Sequence, residues 1–376
     1  MAGEGRYTSV EICAGAGGQA IGLHNAGFTH RALIEIDPHA CSTLRTNMKR
    51  LGWDEHCTLH QEDLKEFKAP ELGIEPGTLA LLAGGVPCPP FSLAGKQLGQ
   101  DDDRDLFPAM LDMVRYLKPR AVMIENVRGL LEPAHKFAAY RSSIRSELED
   151  AGYTICGWNV LEAKDYGVPQ LRPRAVLVAM REDDARYFQA PVIEDFPLVT
   201  VADALEETMR ERFSAIEGGI ALFEKWLAKA RERGTVAPTL VGGSKKHGGA
   251  DLGPTRAKRA WEELGIDAHG VANDPEELES RSSEDRDLRG ERGPKLTVQQ
   301  AAIIQGFPRD WIFEGGKTAR YRQVGNAFPP PVSEAVGQSI IQALRDADNR
   351  CAEAPPTAEE GLIAHSGGGR QLVLAR

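Results

Sequence analysis

The sequence predicts a doubly wound α/β fold with a mostly parallel sheet, and three observations carry that expectation. Residues 8 to 181 alternate short β-rich runs with helical stretches, the signature of strands joined by crossover helices. A glycine-rich turn follows directly on the first of those runs. After about residue 182 the alternation stops and charged helices and Gly-rich basic segments take over. For 376 residues that pattern fits two domains, or one large domain carrying an insertion.

Taken in order, Thr8 to Ala14 reads as a strand, followed by the Gly-rich turn and a helix near Gln19 to Ala26. Arg31 to Asp37 reads as a second strand, with Pro38 opening the next helix. Asp63 follows the region of a third strand. Leu79 to Gly84 and Ala121 to Glu125 are apolar runs suited to buried parallel strands. Phe107 to Leu117 and Phe137 to Leu148 have helical periodicity, and Ala175 to Ala179 is a further strand. Residues 200 to 233 read as charged helix, and 234 to 260 as Gly-rich and basic. Residues 270 to 293, dense in Glu, Asp, Arg and Ser, read as a mobile solvated loop. Helical patterning returns at Thr297 to Gln305 and Ser333 to Leu344, before a frayed tail. The expected organisation is a first catalytic and cofactor-binding part over 1–185 and a smaller inserted domain over 186–317. A C-terminal catalytic part over 318–350 and a flexible tail over 351–376 complete it.

Composition narrows the function classes. The hydrophobic fraction is 41% and the charged fraction 27%, ordinary globular values. No apolar run approaches the ~20 residues of a membrane span, and no secretory signal follows Met1, so a cytoplasmic protein is expected. The six cysteines form no C-x-x-C pair and no Cys/His cluster with zinc spacing, so reduced thiols and no metal are expected. A formal net charge of −10 argues against a protein coated with nucleic acid, but leaves room for a local basic groove.

Six segments carry chemistry or frame it. Cys13-Ala14-Gly15-Ala16-Gly17-Gly18 ends the first strand, and glycine is needed where backbone turns tightly beside a ligand. Glu35 ends the second strand about twenty residues later, where a carboxylate can accept from both ribose hydroxyls of a nucleoside cofactor. Pro87-Cys88-Pro89-Pro90 follows an apolar strand, at the end of a sheet where ligands bind, and its prolines hold the cysteine in stiff backbone. The loop from Leu93 to Asp105 is polar, as a lid is. Glu125 and Asn126 end a strongly apolar strand, where a Glu needs a partner or a task. Arg172 and Arg174, two apart on a strand, point to the same face. Bland readings exist for each: a tight turn with surface carboxylates, a small buried thiol, an ion pair.

Together, in this order, the Gly-rich turn, Glu35, Asp63, Pro87-Cys88, Glu125-Asn126-Val127, Gln170-Leu171-Arg172-Pro173-Arg174 and Gln323-Val324-Gly325-Asn326-Ala327 resemble the DNA cytosine carbon-5 methyltransferases of the bacterial restriction-modification type. The resemblance covers about residues 8 to 181 and 294 to 337. It implies the class I S-adenosylmethionine-dependent methyltransferase fold, S-adenosylmethionine as methyl donor (S-adenosylhomocysteine as product), and cytosine in double-stranded DNA as acceptor. It further implies that Cys13, Ala14, Gly15, Gly17 and Gly18 bend around the donor and that Glu35 holds its ribose. Ile36, Asp63, Leu64, Pro87, Leu106, Asn326 and Ala327 would complete that site. Cys88 would be the nucleophile, Glu125 the acid over the base, Arg172 and Arg174 supporting cations, and Asn126 a brace for the Cys88 loop. The family often has Phe where Cys13 stands and an aromatic where Ile36 stands, so weaker adenine stacking is expected.

The chemistry needs these residue types. Cytosine carbon 5 is a poor nucleophile until a thiolate adds at carbon 6, and cationic neighbours raise the thiolate fraction of a cysteine. A carboxyl kept protonated by burial can donate to ring N3. The cytosine must leave the duplex to be reached. Ser92, Lys96 and Arg104, in the lid, would contact the DNA there. The strongest basic cluster, Lys245, Lys246, Arg256, Lys258 and Arg259, lies where the family places its variable recognition region. Arg or Lys there can read guanine edges. A monomer is expected, near the nucleoid, with a cognate restriction endonuclease in the same system but no stable complex. Three other readings compete: a tRNA cytosine methyltransferase, a non-catalytic DNA-binding protein on the same fold, and a nicotinamide-dependent oxidoreductase. The last leaves Pro87-Cys88 and Gln170 to Arg174 unexplained.

Overall fold

The computed structural model describes residues 6–86, 105–193, 196–242, 250–274 and 281–353, the side chains of 281–283 and 351–353 excepted. Strands and helices alternate through the first half: β1 (Thr8–Ile12), α1 (Gly18–Ala26), β2 (Thr29–Ile34), α2 (Pro38–Leu51), β3 (Thr58–His60), β4 (Leu81–Gly85), α3 (Phe107–Leu117), β5 (Ala121–Val127), α4 (Ala138–Asp150), β6 (Tyr153–Glu162) and β7 (Pro173–Arg181). Helices follow: α5 (Glu182–Ala185), α6 (Val201–Ser214), α7 (Gly219–Arg233), α8 (Thr255–Glu263), α9 (Arg281–Leu288), α10 (Val298–Ile304), α11 (Lys317–Asn326) and α12 (Pro330–Glu353).

The strands form one sheet in the order β3-β2-β1-β4-β5-β7-β6. β1 lies between β2 and β4 with parallel pairing on both sides, and β4 pairs parallel with β5. The switch of direction along the chain thus falls between β1 and β4, and their C-terminal ends form the crevice where such sheets bind ligands. The doubly wound, mostly parallel sheet is as the alternation predicts. Two things differ. β7 runs antiparallel to both β5 and β6, and β6 was not anticipated. Its residues alternate poorly in polarity, and most are only partly buried at the sheet edge.

Each face of the sheet is covered. On one, Val10, Ile12, Leu82, Val122 and Ile124 pack with Phe107, Met110 and Val114 of α3 and Ile144 and Leu148 of α4. On the other, Leu81, Ala83, Met123 and Val178 pack with Leu23 of α1 and Val332, Val336 and Ile340 of α12. Local chemistry starts the helices. Asp37 caps α2 by accepting from His39 N and Ala40 N, with Pro38 in the first turn. Thr200 and Asp203 form a capping box on α6, as Thr297 and Gln300 do on α10.

A third core joins α6, α7, α8 and α10 to the outer side of α2: Phe213, Trp226, Trp261 and Ile304 share it with Leu44, Met48 and Trp53. Residues 281–288 correct an expectation. They belong to α9 and not to a mobile solvated loop. The physical reason is a buried ion pair: Arg212 Nε donates to Glu284 Oε1 at 2.7 Å, with the two side chains 4% and 6% exposed. Arg212 Nη1 also donates to Lys295 O and Gln300 Oε1. High charge density alone does not separate solvated from paired carboxylates. The segment holding Arg256, Lys258 and Arg259, read as basic and Gly-rich, is helix α8, and α12 runs well beyond the Ser333 to Leu344 stretch. No described helix is long and apolar enough to cross a membrane.

Candidate active site

A cavity of about 630 Å³ opens at the C-terminal ends of β1, β2, β4 and β5. Its floor is the turn after β1. Gly15 and Gly17 take positive φ of 54° and 89°, a region that side chains other than glycine's rarely adopt. A Cβ at Gly17 would also stand 2.9 Å from the ring of Trp311. Trp311 in turn donates its indole N–H to Ala16 O at 3.1 Å, bracing the turn from outside. Beside the turn, Glu35 accepts from three backbone amides: Gly15 N at 2.7 Å, Ile36 N at 2.9 Å and Asp37 N at 2.8 Å. Burial raises the pKa of Glu35, and those three donors hold it down.

Of the residues expected around a donor, Cys13, Ala14, Gly15, Gly18, Glu35, Ile36, Asp63, Leu64, Leu106, Asn326 and Ala327 all line this cavity. Gly17 lies just behind it as part of the turn. Ile36 is 59% exposed, an apolar surface presented at the rim. Burial and nearby carboxylates push the Cys13 thiol up, so it stays protonated and serves as apolar wall. Among the described residues no group of three or more His, Cys, Asp or Glu could hold a metal ion.

Glu11 lines the same cavity and was missed by the sequence reading. It is fully buried in the central strand, and neither carboxylate oxygen has a hydrogen-bond partner among the described residues. Burial first, then the charge of Glu35, raises its pKa well above the ordinary carboxylate value. The available signal was a glutamate inside the otherwise apolar run Val10-Glu11-Ile12. An orphaned buried carboxylate on a cavity wall fits a cationic ligand. Its linkage is also testable. A carboxyl whose folded pKa lies above its unfolded value loses stability as pH rises from the unfolded toward the folded value. Glu11→Gln should therefore gain stability relative to the parent chain as pH rises. The limit is about 1.4 kcal/mol per pH unit for one proton. Thermal melts of both chains from pH 5 to 8 check this. A constant difference would mean that Glu11 of the folded chain is already ionised across that range.

The opposite wall carries Glu125, Asn126 and Arg174. Glu125 and Arg174 are diagonal neighbours across the β5–β7 ladder, since Glu125 faces Val176 and Val127 faces Arg174. Arg174 Nε lies 2.8 Å from Glu125 Oε1, with both side chains about 15% exposed. Gly85, in register with Glu125, leaves the room it needs: a Cβ there would stand 3.1 Å from Glu125 Oε2. Burial is the largest influence on Glu125 and raises its pKa, while Arg174 and then Arg172 oppose it. Asn126 Nδ2 donates to Val86 O at 2.8 Å, and its Oδ1 accepts from Val127 N. It thereby fixes the residue that leads into Pro87.

Arg172 does not join that wall. Its guanidinium is 1% exposed and donates to the backbone carbonyls of Leu240 at 2.7 Å, Gly325 at 2.7 Å and Ala327 at 2.9 Å. The expectation of two arginines with one task does not describe this geometry. Arg174 lies within the strand, whereas Arg172 precedes it and turns toward α11. Pro87, Cys88, Ser92, Lys96, Arg104, Lys245 and Lys246 lie outside the described residues. Of the remaining basic cluster, Arg256 and Arg259 are exposed, and Lys258 pairs with Asp251 at 2.9 Å.

Residues 7–342 match the family model described as C-5 cytosine-specific DNA methylase. The chain is 51% identical over 337 residues to the type II methyltransferase M.NaeI of Lentzea aerocolonigenes, covering 89% of this chain and 75% of that one. It is 45% identical to the type II methyltransferase M.NgoMIV of Neisseria gonorrhoeae, covering 90% and 99%. Among solved structures, the Dnmt2 methyltransferase of S. pombe superposes with a TM-score of 0.54 at 18% identity, covering 92% of this chain and 99% of that one, a likeness of fold alone.

Proposed function

The chain belongs to the C-5 cytosine-specific DNA methylases, and from that premise we propose how its residues divide the work of methylating cytosine in duplex DNA. It is a DNA cytosine-5 methyltransferase of the restriction-modification type. The observation that carries the finer reading is the convergence, on one cavity, of two buried carboxylates around a glycine turn with the Glu125–Arg174 pair on the facing wall.

The donor side fits S-adenosylmethionine. Its positive charges would favour the ionised form of the buried Glu11, its ribose would meet the carboxylate of Glu35, and its adenine the space between Cys13, Ile36 and Asp63. Bound there, the donor supplies an electrophilic methyl group. Every other step belongs to the protein and the base. Cys88, as thiolate, forms a bond to carbon 6 of a flipped-out cytosine. The ring electrons move toward N3, which takes a proton from Glu125, and carbon 5 becomes enamine-like. Arg174 orients Glu125 and supports the charge that develops on the ring. After methyl transfer, carbon 5 gives its proton to a base such as water, the Cys88 thiolate departs and N3 returns its proton to Glu125, which restores the aromatic ring. Asn126, through Val86, holds the start of the Cys88 segment. Residues 186–317 select the DNA sequence. Phosphate contacts supply affinity and base-edge contacts specificity, with Arg256, Lys258 and Arg259 of α8 among the cations. The protein acts as a monomer beside a separate endonuclease.

Incubation with tritiated S-adenosylmethionine and either unmethylated DNA or tRNA tests this reading. Label in carbon 5 of DNA cytosine is expected; label confined to tRNA, or none, contradicts it. Glu35→Ala should weaken S-adenosylhomocysteine binding by about 1.5–3 kcal/mol, the range for hydrogen bonds to a charged group. Calorimetry reads this directly, and an unchanged affinity would exclude Glu35 from the donor site.

A further inference from the structure

We propose that Arg172 is a positioning residue: with Gln170 and Gln305 it bolts the DNA-reading region, at Leu240, to the donor-side wall, so both ligands depend on one joint. The inference rests on the donor and DNA assignments above and concerns what holds those two sites together.

Both backbone groups of Leu240 are held. Its N–H donates to Gln170 Oε1 at 2.8 Å, and its carbonyl accepts from Arg172 Nη1 at 2.7 Å. Beside it, Leu171 N donates to Ala237 O at 2.8 Å and Ala237 N to Pro169 O at 2.9 Å, which sets the register of the two segments. Arg172 Nη2 reaches the other way, to Gly325 O and Ala327 O. Gln305 Nε2 also donates to Ala327 O, at 2.5 Å, and Gln305 Oε1 accepts from Gln170 Nε2 at 2.7 Å. Gln170 and Gln305 are fully buried. A buried guanidinium that gives three N–H groups to carbonyls, with Nε left without a partner among the described residues, is a fixed link, because charge-assisted bonds of this kind are about twice as strong as neutral ones.

The joint has no slack. A Cβ on Gly242 would lie 2.3 Å from Asn326 Oδ1, and one on Gly325 would lie 2.4 Å from Gly242 N. Leu240 to Gly242 and Gly325 to Ala327 both line the donor cavity. In sequence, Gly242 leads directly to Lys245 and Lys246. Arg174 lines the cavity and Arg172 does not. The two arginines of one short motif therefore act differently: Arg174 on the reacting base, Arg172 through the backbone it holds.

The test uses the full chain with three substitutions, R172K, R172M and G242A, the last wedging the same joint without touching the arginine. S-adenosylhomocysteine affinity is read by calorimetry, and kcat and both KM values on unmethylated genomic DNA. Trapping on 5-fluorocytosine DNA at saturating ligands reports the chemistry. R172K and G242A should each weaken S-adenosylhomocysteine about tenfold or more, as lost charge-assisted bonds do. Both KM values should rise while kcat stays within about threefold and trapping persists, the pattern of lost uniform binding. R172M should be more severe than R172K. A fall in kcat and trapping with unchanged S-adenosylhomocysteine affinity would overturn the proposal and make Arg172 a cation of the base site. So would normal affinity in both R172K and G242A, which decide the matter if R172M does not fold. Failure of the parent chain to bind S-adenosylhomocysteine at all would instead overturn the donor assignment on which the joint is built.

Discussion

Replacing Cys88 with serine should lower turnover by on the order of 10³-fold or more, the scale on which enzymes lose activity when a covalent nucleophile is removed, while S-adenosylhomocysteine affinity stays within about twofold. The size of the effect follows from the chemistry. Carbon 5 of cytosine becomes nucleophilic only after addition at carbon 6, and a serine hydroxyl is a far weaker nucleophile than a thiolate near neutral pH. The donor site should be indifferent, because the groups assigned to it are others: Glu11, Glu35 and the turn after β1. Single-turnover methylation and calorimetry on the same preparation separate the two. Loss of donor binding in parallel with turnover would point to a damaged fold and not to a missing nucleophile.

Glu125→Gln should reduce kcat by roughly 10²–10⁴-fold, the usual contribution of a positioned general acid, with donor affinity preserved. It should also change the pH profile. Burial raises the Glu125 pKa against the pull of Arg174, and the protonated form is the one that donates to ring N3. Activity attributable to Glu125 therefore falls as pH rises through that raised value, giving the parent chain a descending alkaline limb. The Cys88 thiolate contributes the opposite, ascending limb. In Glu125→Gln the descending limb should vanish and the ascending limb remain. A variant that kept the alkaline decline would assign that limb to another group.

Much of this was legible before the structure because parallel sheets write themselves plainly. The apolar runs at Leu79 and Ala121 and the turn at Gly15 to Gly18 locate three strand ends, and a doubly wound sheet puts strand ends on one edge. Cys13, Glu35, Asp63 and Asn326 are far apart in sequence, yet all line one cavity. What was illegible depends on partners. Glu284 looks like any acid in a charged run until Arg212 is beside it. β6 pairs only at a sheet edge, where polarity alternates weakly. Arg172 and Arg174 share a motif, but Arg174, within β7, meets a carboxylate, and Arg172, just before the strand, meets three carbonyls. Glu11 could have been found, since a lone carboxylate in a central strand asks for a ligand.

The proposed reaction runs through a covalent bond between Cys88 and carbon 6 of cytosine. Duplex DNA carrying 5-fluorocytosine at the methylated position tests it most directly, because fluorine at carbon 5 blocks the proton loss that releases the thiolate. With S-adenosylmethionine present, a protein–DNA complex that survives denaturant should form, its adduct should map by peptide mass spectrometry to Cys88, and Cys88→Ser should not form it. An adduct on another residue, or a trapped complex with Cys88→Ser, would contradict it.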